Sequence, residues 1–298
     1  MPGFLGERRL AHWNENGFLV LPGFCTDEEL AAVDAAVDTA WDERPADVVV
    51  DDLDTNRRSR ICDVSEVERS HRFKVNDLYL RDPAVREVVL SDRLGMALAE
   101  LLHDVPVVCN TLNFGHGSAQ ADHLDTLYMT PRSQTGLVAT WIALEDTDER
   151  AGPLRYYPGS NHIEPYHFET GSMHVHLPEM DRWSEYMARE VSAHGLAETT
   201  FAARRGDVFI WHALLLHGGS EILDRSLTRR SIVTHYFTRT DSHLLGSDHR
   251  PVPGGFWMQK PPLDIPAQSA RDEPPPVDAA APGRELYERM RPLLTATD

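Results

Sequence analysis

Five short runs of β-prone residues, separated by turn signals, constrain the fold of this chain more than any other feature. They are rich in Val, Ile, Leu and aromatic residues and span 105–114, 137–144, 154–157, 207–212 and 231–238. Turn-forming pairs lie between them, at Gly152-Pro153 and Pro158-Gly159. Short runs punctuated in this way are typical of strands in a β-sandwich or barrel.

Helical patterns dominate the first hundred residues. A capping box that begins at Thr26 opens a helix whose apolar residues recur at helical spacing through Trp41. Asp82-Pro83 begins another helix, and its apolar face predicts that it runs to Leu101. A helical insertion is predicted over 178–196. Helices followed by many short strands favour an α+β fold, with the N-terminal helices packed on one sheet.

Three further segments carry separate expectations. The polar stretch 43–74 shows no clear period, so we predict a long loop. Lid loops are expected near 43–74 and 166–196, within a single domain that spans 1–250. Residues 251–298 are rich in proline, which argues against a central strand, so this extension is expected to pack on the domain. Its end, 284–294, is a short amphipathic helix candidate.

Composition and charge exclude several classes of function. The formal net charge of −18 would repel a nucleic-acid backbone. Three cysteines are too few and too scattered for a disulfide framework or a Cys-rich zinc site. The N-terminus lacks a signal-peptide pattern, and no apolar run is long enough to span a membrane. We therefore expect a cytoplasmic protein with a small-molecule substrate and neither nucleic-acid nor membrane partners. A homodimer is one possible assembly.

The triplet His123-Leu124-Asp125 is the strongest chemical signal. On a strand, residues i and i+2 point to the same face, so both side chains could reach one ion. A turn at Gly206-Asp207 starts an apolar strand, whose far end is expected to deliver His217. Two imidazoles and one carboxylate form the facial triad of non-heme iron(II) oxygenases, which leaves open coordination positions.

Other histidines compete with this triad, because the chain contains 15 of them. The pairs in 167–169 and 174–176 also have ligand spacing, but their polar surroundings predict surface or lid loops. His212 is expected to pack against the site or support it. His235 lies within a predicted strand and is interpreted as a hydrogen-bonded core histidine.

Four motifs follow one another along the chain. They are NGFLVLPGF at 16–24, QADHLD at 120–125, a Trp-to-His stretch at 141–162, and the segment 217–236, which contains the distal histidine and an arginine pair. In this order they resemble the phytanoyl-CoA dioxygenase family of iron(II)/2-oxoglutarate oxygenases. The resemblance implies a double-stranded β-helix, a jelly-roll or cupin-like barrel, with the metal inside.

The resemblance also implies a reaction and its cofactors. His123, Asp125 and His217 match the ligands of Fe(II), and the co-substrates are 2-oxoglutarate and O2. The expected reaction hydroxylates an unactivated C–H bond of a small metabolite and releases succinate and CO2. Asp125 argues against a halogenase, because related halogenases carry a small residue at that position.

An arginine on the last strand is expected to bind the far carboxylate of 2-oxoglutarate. A guanidinium can donate two parallel hydrogen bonds to a carboxylate, which lysine cannot reproduce. Counting back from Tyr236 favours Arg229, whereas the spacing from Ser226 favours Arg230. Only one of the two can point inward. We choose Arg229, because spacing within a strand is firmer than spacing across a loop.

Further residues are expected to line the co-substrate pocket. Trp141 matches a tryptophan of the family that often lies there, although a core aromatic is an equally good interpretation. Gln120 and Asn113 are candidate polar wall residues. The family often has a serine two residues after the distal histidine, where this chain has Gly219. Ser220 could replace that contact, or the contact could be absent.

Two other functions compete with the oxygenase. One is a cupin-like metalloenzyme that does not use 2-oxoglutarate, and the other is a non-catalytic binding barrel. An inward arginine argues against the first, and a complete triad argues against the second. The arginines in 57–60 are either a solvated charge run or a basic lid that meets an anionic substrate group.

Overall fold

The computed structural model describes residues 3–133, 135–244 and 246–265. The helices there are α1 (Glu7–Asn16), α2 (Asp27–Glu43), α3 (Pro83–Val89), α4 (Asp92–Leu102), α5 (Met180–Ala193) and α6 (Arg239–Leu244). The strands are β1 (Phe18–Leu21), β2 (Val49–Asp52), β3 (Arg57–Arg60), β4 (Phe73–Asn76), β5 (Pro106–Phe114), β6 (Leu137–Ala143), β7 (Leu154–Tyr156), β8 (Thr199–Phe201), β9 (Val208–His212), β10 (His217–Gly219), β11 (Ser231–Thr238), β12 (Asp248–Val252) and β13 (Gly255–Gln259). The five strands and the helical insertion predicted from the sequence are confirmed.

Two sheets make up the β structure. The large sheet has the order β1-β9-β6-β11-β5-β4-β2-β3, and its neighbours on this path are antiparallel. The small sheet has the antiparallel order β10-β7-β8. Mixed helices and antiparallel sheet confirm the α+β class, and the sheet order gives two separate sheets rather than one closed barrel.

The two faces of the large sheet are buried by different partners. One face packs against the N-terminal helices in a cluster that includes Leu30 of α2, Leu98 of α4 and Ile232 of β11. This packing confirms the predicted position of those helices. Alternate residues point to the other face, where Trp141 and Phe209 pack in one cluster with side chains of the small sheet. The candidate site lies on this inner face.

The N-terminal helices begin where their sequence signals lie. Glu29 N donates to Thr26 Oγ1 at 3.2 Å, and Thr26 N donates to Glu29 Oε2 at 2.7 Å, which completes the capping box. The single helix predicted from Asp82-Pro83 to Leu101 is wrong in its middle. The chain leaves helical geometry at Leu90, and Ser91 caps a second helix by accepting from Leu94 N.

The stretch 43–74 is not the long loop predicted from its polarity. It forms β2, β3 and β4, which extend the large sheet. Asp51 is buried between cross-strand cations: Arg58 Nε lies 2.7 Å from Oδ1, and Lys74 Nζ lies 2.9 Å from Oδ2. Because their charges are paired, polar side chains can occupy the buried face of a strand. Such a strand lacks the alternation of apolar and polar residues by which a strand is recognised in a sequence. Arg58 is therefore part of the sheet rather than a solvated residue.

The proline-rich extension also enters the large sheet, contrary to prediction. β12 and β13 form a hairpin, and β13 pairs in parallel with β5 through Phe256 and Trp257. The prolines do not prevent this, because Pro251 lies on the outer strand β12 and β13 has none. The candidate helix 284–294 lies outside the described residues.

Within the described residues, no helix combines the length and the apolar character needed to cross a membrane. The segment that precedes and includes α5 packs through its own apolar cluster, which contains Leu127, Phe168 and Trp183. The same cluster contains Leu124 and Leu216, each adjacent to a residue of the predicted triad. This segment therefore covers the outer side of the triad backbone, and its lid role stays a prediction.

Candidate metal centre

A backbone pair brings the two halves of the triad together. His123 N donates to His217 O at 2.9 Å, and His217 N donates to His123 O at 3.1 Å. His123 lies in an isolated bridge rather than in a long strand, yet Leu124 is extended, so His123 and Asp125 still share a side. His217 is the first residue of β10 in the small sheet. The expectation that it lies at the far end of β9 was wrong.

Both triad imidazoles are held with Nε2 toward the centre. His123 Nδ1 lies 2.9 Å from Ala121 O, and His217 Nδ1 lies 2.9 Å from Leu215 O. A carbonyl only accepts, so each Nδ1 donates and each Nε2 keeps its lone pair. This is how metal-binding histidines are usually oriented. Ligand atoms of His123, Asp125 and His217 all lie within 4.8 Å of one another, and the three side chains are buried.

The carboxylate of Asp125 is held from both sides. Trp211 Nε1 donates to Oδ2 at 2.7 Å. The other oxygen, Oδ1, faces His123 Nε2 at 3.8 Å and His217 Nε2 at 3.6 Å, and a third imidazole, His235, approaches it at 3.4 Å. Sequence reasoning missed Trp211 and interpreted His235 as a core residue. His235 lies six residues after Arg229, and alternate residues of a strand point to the same face. This spacing could have placed His235 on the same inward face as Arg229.

Burial and neighbouring charges set the protonation of the centre. Burial, together with the neighbouring imidazole of His217, lowers the pKa of His123 to about 4. Burial opposes ionisation of Asp125, but the surrounding histidines, His235 first among them, outweigh it and lower the pKa of that carboxyl. Neutral imidazoles and an ionised carboxylate are the forms that bind a metal ion.

A cavity on the inner face connects the triad with Arg229. The residues that line it come from both sheets and from the loop before His123: Leu112, Phe114, Ser118, Gln120, His123, Asp125, Trp141, Leu154, Trp211, His217, Gly218, Gly219, Arg229, Val233 and His235. The triad, Gln120, Trp141 and Arg229 were predicted to share a site, and the fold brings them together.

Arg229 is buried with part of its guanidinium unsatisfied. Nη1 donates to Gly152 O at 2.7 Å, and the guanidinium carbon lies 5.8 Å from the centre of the Trp141 ring. Within the described part of the chain, Arg229 Nε and Trp141 Nε1 are buried and have no hydrogen-bond partner. Burial lowers the pKa of Arg229 to about 10, so it remains a cation at neutral pH. Two unsatisfied donors beside a cation suit a carboxylate ligand.

Arg230 points to the other face of the sheet. Its Nη2 lies 2.7 Å from Asp34 Oδ1 on α2, and its backbone N donates to Glu145 Oε1. Alternate residues of β11 face opposite ways, and Arg229 has the inward parity of Val233 and His235. Of the two arginines weighed from the sequence, Arg229 is thus the one in the cavity.

A family model for phytanoyl-CoA dioxygenase (PhyH) matches residues 13–231, which include the whole triad and Arg229. The chain belongs to the phytanoyl-CoA dioxygenase family. This agrees with the resemblance in the four sequence motifs. A comparison with curated protein sequences finds no significant match.

Several solved structures share the fold of this chain despite low sequence identity. EctD from S. alaskensis, solved with 2-oxoglutarate and 5-hydroxyectoine, has a TM-score of 0.59 at 16% identity, covering 92% of this chain and 86% of that one. The non-heme α-ketoglutarate-dependent carbocyclase SnoK from nogalamycin biosynthesis scores 0.58 at 16% identity over 85% and 93%. The epimerase SnoN, solved with Fe3+, α-ketoglutarate and a nogalamycin compound, scores 0.55 at 19% identity over 85% and 98%.

The departure from the family's serine at position 219 has a steric reason. A Cβ on Gly219 would lie 2.6 Å from Ser118 Oγ and 2.9 Å from the backbone N of Ala119. No side chain fits there without displacing backbone. Ser220 does not line the cavity in its place, and its buried hydroxyl has no partner among the described residues.

Asn113 does not reach the cavity either. Its neighbours Leu112 and Phe114 both line the cavity, and in β11 its partner Ile232 lies in the helix-facing cluster. Asn113 therefore points to the helical side, where its buried amide has no partner within the described residues. Another polar side chain of β5, Asn110, contacts His235, which lines the cavity.

The competing histidine pairs lie elsewhere. His174 contacts Thr130, and His176 Nδ1 lies 2.6 Å from Glu179 Oε1 in the segment before α5. In the part of the chain that the structure describes, the triad is the one cluster with ligand geometry for a metal ion.

Proposed function

We propose that this protein is an Fe(II)- and 2-oxoglutarate-dependent oxygenase that hydroxylates a C–H bond of a small molecule. One observation carries the proposal. Three buried ligand side chains and a buried arginine with an unsatisfied N–H line the same cavity. Membership of the phytanoyl-CoA dioxygenase family and the iron- and 2-oxoglutarate-bound relatives support the same chemistry.

The donor set fits iron better than a structural zinc. His123, Asp125 and His217 supply two imidazoles and one carboxylate, without cysteine. When bound, Fe(II) with 2-oxoglutarate supplies the activation of O2 that C–H oxidation needs. Trp211 donates to one carboxylate oxygen of Asp125 and so would orient the other oxygen for metal binding.

Arg229 and Trp141 are the proposed co-substrate contacts. The guanidinium would neutralise the far carboxylate of 2-oxoglutarate, and the two unsatisfied N–H groups would donate to it. Gln120 would contribute to the wall of the same cavity. A halogenase would have a small residue at the carboxylate position of the triad, so that a halide could bind the metal. This chain has Asp125 there, which favours hydroxylation. We further propose that the two sheets correspond to the double-stranded β-helix core of the family and that the protein acts in the cytoplasm.

Anaerobic titration with Fe(II) and 2-oxoglutarate tests the proposal. The wild-type protein should develop the visible charge-transfer band of the 2-oxoglutarate chelate, and on exposure to air it should form succinate. Asp125→Ala should abolish both signals, because the metal loses its anionic ligand.

Asp122→Ala is a matched control, because this neighbouring carboxylate pairs with Arg155 Nε at 2.7 Å instead of facing the centre. It should retain the band. Absence of the band and of succinate in the wild-type protein would refute the oxygenase.

A further inference from the structure

Two cations of the large sheet lie on the face that carries the candidate metal centre. In antiparallel strands, directly paired residues point to the same face. Lys74 of β4 pairs with Phe114 of β5, which lines the cavity. Asp51 of β2 lies between Lys74 and Arg58 of β3 in the same cross-strand row. These three side chains therefore extend the cavity face of the sheet beyond β5.

The row carries one more positive charge than negative charge. Arg58 engages both oxygens of Asp51, through Nε at 2.7 Å and Nη2 at 3.3 Å, and Lys74 Nζ lies 2.9 Å from Oδ2. Burial opposes ionisation of Asp51, but Lys74 and Arg58 outweigh it and lower the pKa of the carboxyl to about 2. Among the described residues, no other carboxylate lies within ion-pair distance of either cation. Arg58 balances Asp51, and Lys74 is the excess cation.

The excess cation is largely shielded from water. The side chains of Arg58 and Lys74 are 8% and 14% exposed, and that of Asp51 is 3% exposed. A buried charge that exceeds its counterions costs free energy, because water no longer solvates it. An anion bound beside Lys74 would remove that cost. The chain has a formal net charge of −18, so a local excess of positive charge on this face is distinctive.

Asn76 adds a hydrogen-bonding group to the same face. It pairs with Leu112 of β5, which lines the cavity. Its Nδ2 donates to Val49 O at 3.3 Å, whereas its Oδ1 is buried and has no partner within the described residues. Neighbouring strands lie about 4.8 Å apart, so this acceptor is one strand from the cavity wall. A buried acceptor in this position suits a ligand that donates a hydrogen bond.

We propose that Lys74 and Asn76 form a substrate subsite, in which Lys74 binds an anionic oxyacid group and Asn76 Oδ1 accepts from an O–H or N–H group next to it. The inference rests on the proposed function and deepens it, because it names the substrate class. The substrate is a small molecule with an acidic group at one end, held on β4, while its oxidised C–H bond lies toward the metal. Arg58 stays paired with Asp51 and keeps that carboxylate from neutralising Lys74.

Isothermal titration with inorganic sulfate tests the subsite. The full-length protein is kept free of metal ions, so that sulfate cannot bind to a metal at the triad, and sodium chloride of equal ionic strength is the blank. Wild-type protein should bind sulfate. Lys74→Met should weaken this binding by about 10-fold or more, because a charge-assisted hydrogen bond is lost. No binding to the wild-type protein, or equal binding to Lys74→Met, would overturn the proposal.

Two further variants separate charge from packing. Lys74→Gln keeps a hydrogen-bond donor toward Asp51 but has no charge, so it should also lose sulfate. Lys74→Arg keeps the charge and should retain most of the binding. A purely structural Lys74 would change the melting temperatures of these variants without changing their sulfate affinity, and that result would contradict the subsite.

Arg57→Gln is the matched control. Arg57 precedes Arg58 in β3 and so points to the opposite face, where its Nη2 lies 2.6 Å from Glu68 Oε1. This variant should leave the sulfate affinity unchanged. Arg229 is another buried cation, so the titrations are repeated in an Arg229→Ala background. Sulfate should still bind there; complete loss of binding would assign sulfate to the co-substrate contact and overturn the proposal.

The two proposals fail separately. The chelate band of Fe(II) with 2-oxoglutarate depends on the triad and Arg229, whereas sulfate binding depends on Lys74. A protein that shows the band but binds no sulfate remains an oxygenase, and only the subsite is refuted. A protein that binds sulfate through Lys74 but shows neither band nor succinate has an anion site, and the oxygenase is refuted together with the assignment of that site to its substrate.

Discussion

Asp125 shows how one side chain can organise a metal centre. One oxygen accepts from Trp211, and the other faces three imidazoles at 3.4–3.8 Å. A carboxylate with one oxygen already engaged presents the other in a fixed direction, which reduces the entropy lost when a metal binds. The sequence identified Asp125 but not Trp211, because the two residues meet only through the pairing of the sheets.

Arg229 provides the sharpest test at the scale of single residues. Replacing it with alanine should weaken 2-oxoglutarate binding by about 10- to 100-fold, since a buried charge-assisted hydrogen bond contributes about 1.5–3 kcal/mol. Arg229→Lys should recover only part of the loss, because an ammonium cannot form the bidentate pair. Titration of the visible chelate band with 2-oxoglutarate measures the affinity.

Arg230→Ala is the control for Arg229. It removes the ion pair with Asp34 on the helical face and should leave the 2-oxoglutarate affinity unchanged. The reverse result, with Arg230→Ala weakening binding and Arg229→Ala not, would contradict the assignment.

At the scale of elements, β10 requires glycine at two of its three positions. This strand carries His217, and Gly218 and Gly219 follow it against the loop 118–122. A Cβ on either glycine would lie under 3.0 Å from atoms of this loop. The close approach is what lets His123 and His217 exchange backbone hydrogen bonds.

Gly219→Ala should therefore displace the loop before His123 and weaken metal binding, with a stability loss of about 1–3 kcal/mol from overpacking. Isothermal titration with Zn²⁺ and thermal unfolding measure the two effects. Gly115→Ala is the matched control, because a Cβ there meets no atom within 4 Å. Equal metal affinities for the two variants would refute this account of β10.

Element prediction succeeded where the apolar pattern was intact. The runs that became β6 and β9 were visible because they are nearly continuous apolar strands, and those that became β5 and β11 because they are rich in β-branched and aromatic residues. The stretch 43–74 was predicted as a loop, since its buried carboxylate and cations conceal the strand pattern. The hairpin of β12 and β13 was missed because prolines flank a short strand that pairs with β5.

At the scale of the whole molecule, buried histidines make stability depend on pH. Burial, with a smaller effect of His162, lowers the pKa of His212 to about 4. The unfolded chain, with an ordinary histidine pKa of about 6.5, takes up the proton first as the pH falls. Stability should therefore be full above about pH 6.5 and fall toward pH 4, by at most about 1.4 kcal/mol per pH unit for this group.

Melting temperatures of the metal-free protein between about pH 7 and pH 5 check this prediction. His212→Asn should flatten the curve, since Asn removes the titrating group while its oxygen can still accept from Leu214 N, as His212 Nδ1 does at 3.1 Å. A curve as steep as that of the wild-type protein would show that His212 does not contribute.

The sequence by itself indicated the candidate metal ligands, the family and the main strands, because these depend on local order: a His-x-Asp triplet, motif succession and apolar runs. Only the tertiary structure decided which side chains face the cavity at the candidate metal centre. Whether Asn110 or Asn113 points inward depends on strand register, and β11 shifts register between His235 and Tyr236. Trp211 and His235 reach Asp125 from 86 and 110 positions further along the chain, a distance that only the pairing of strands closes.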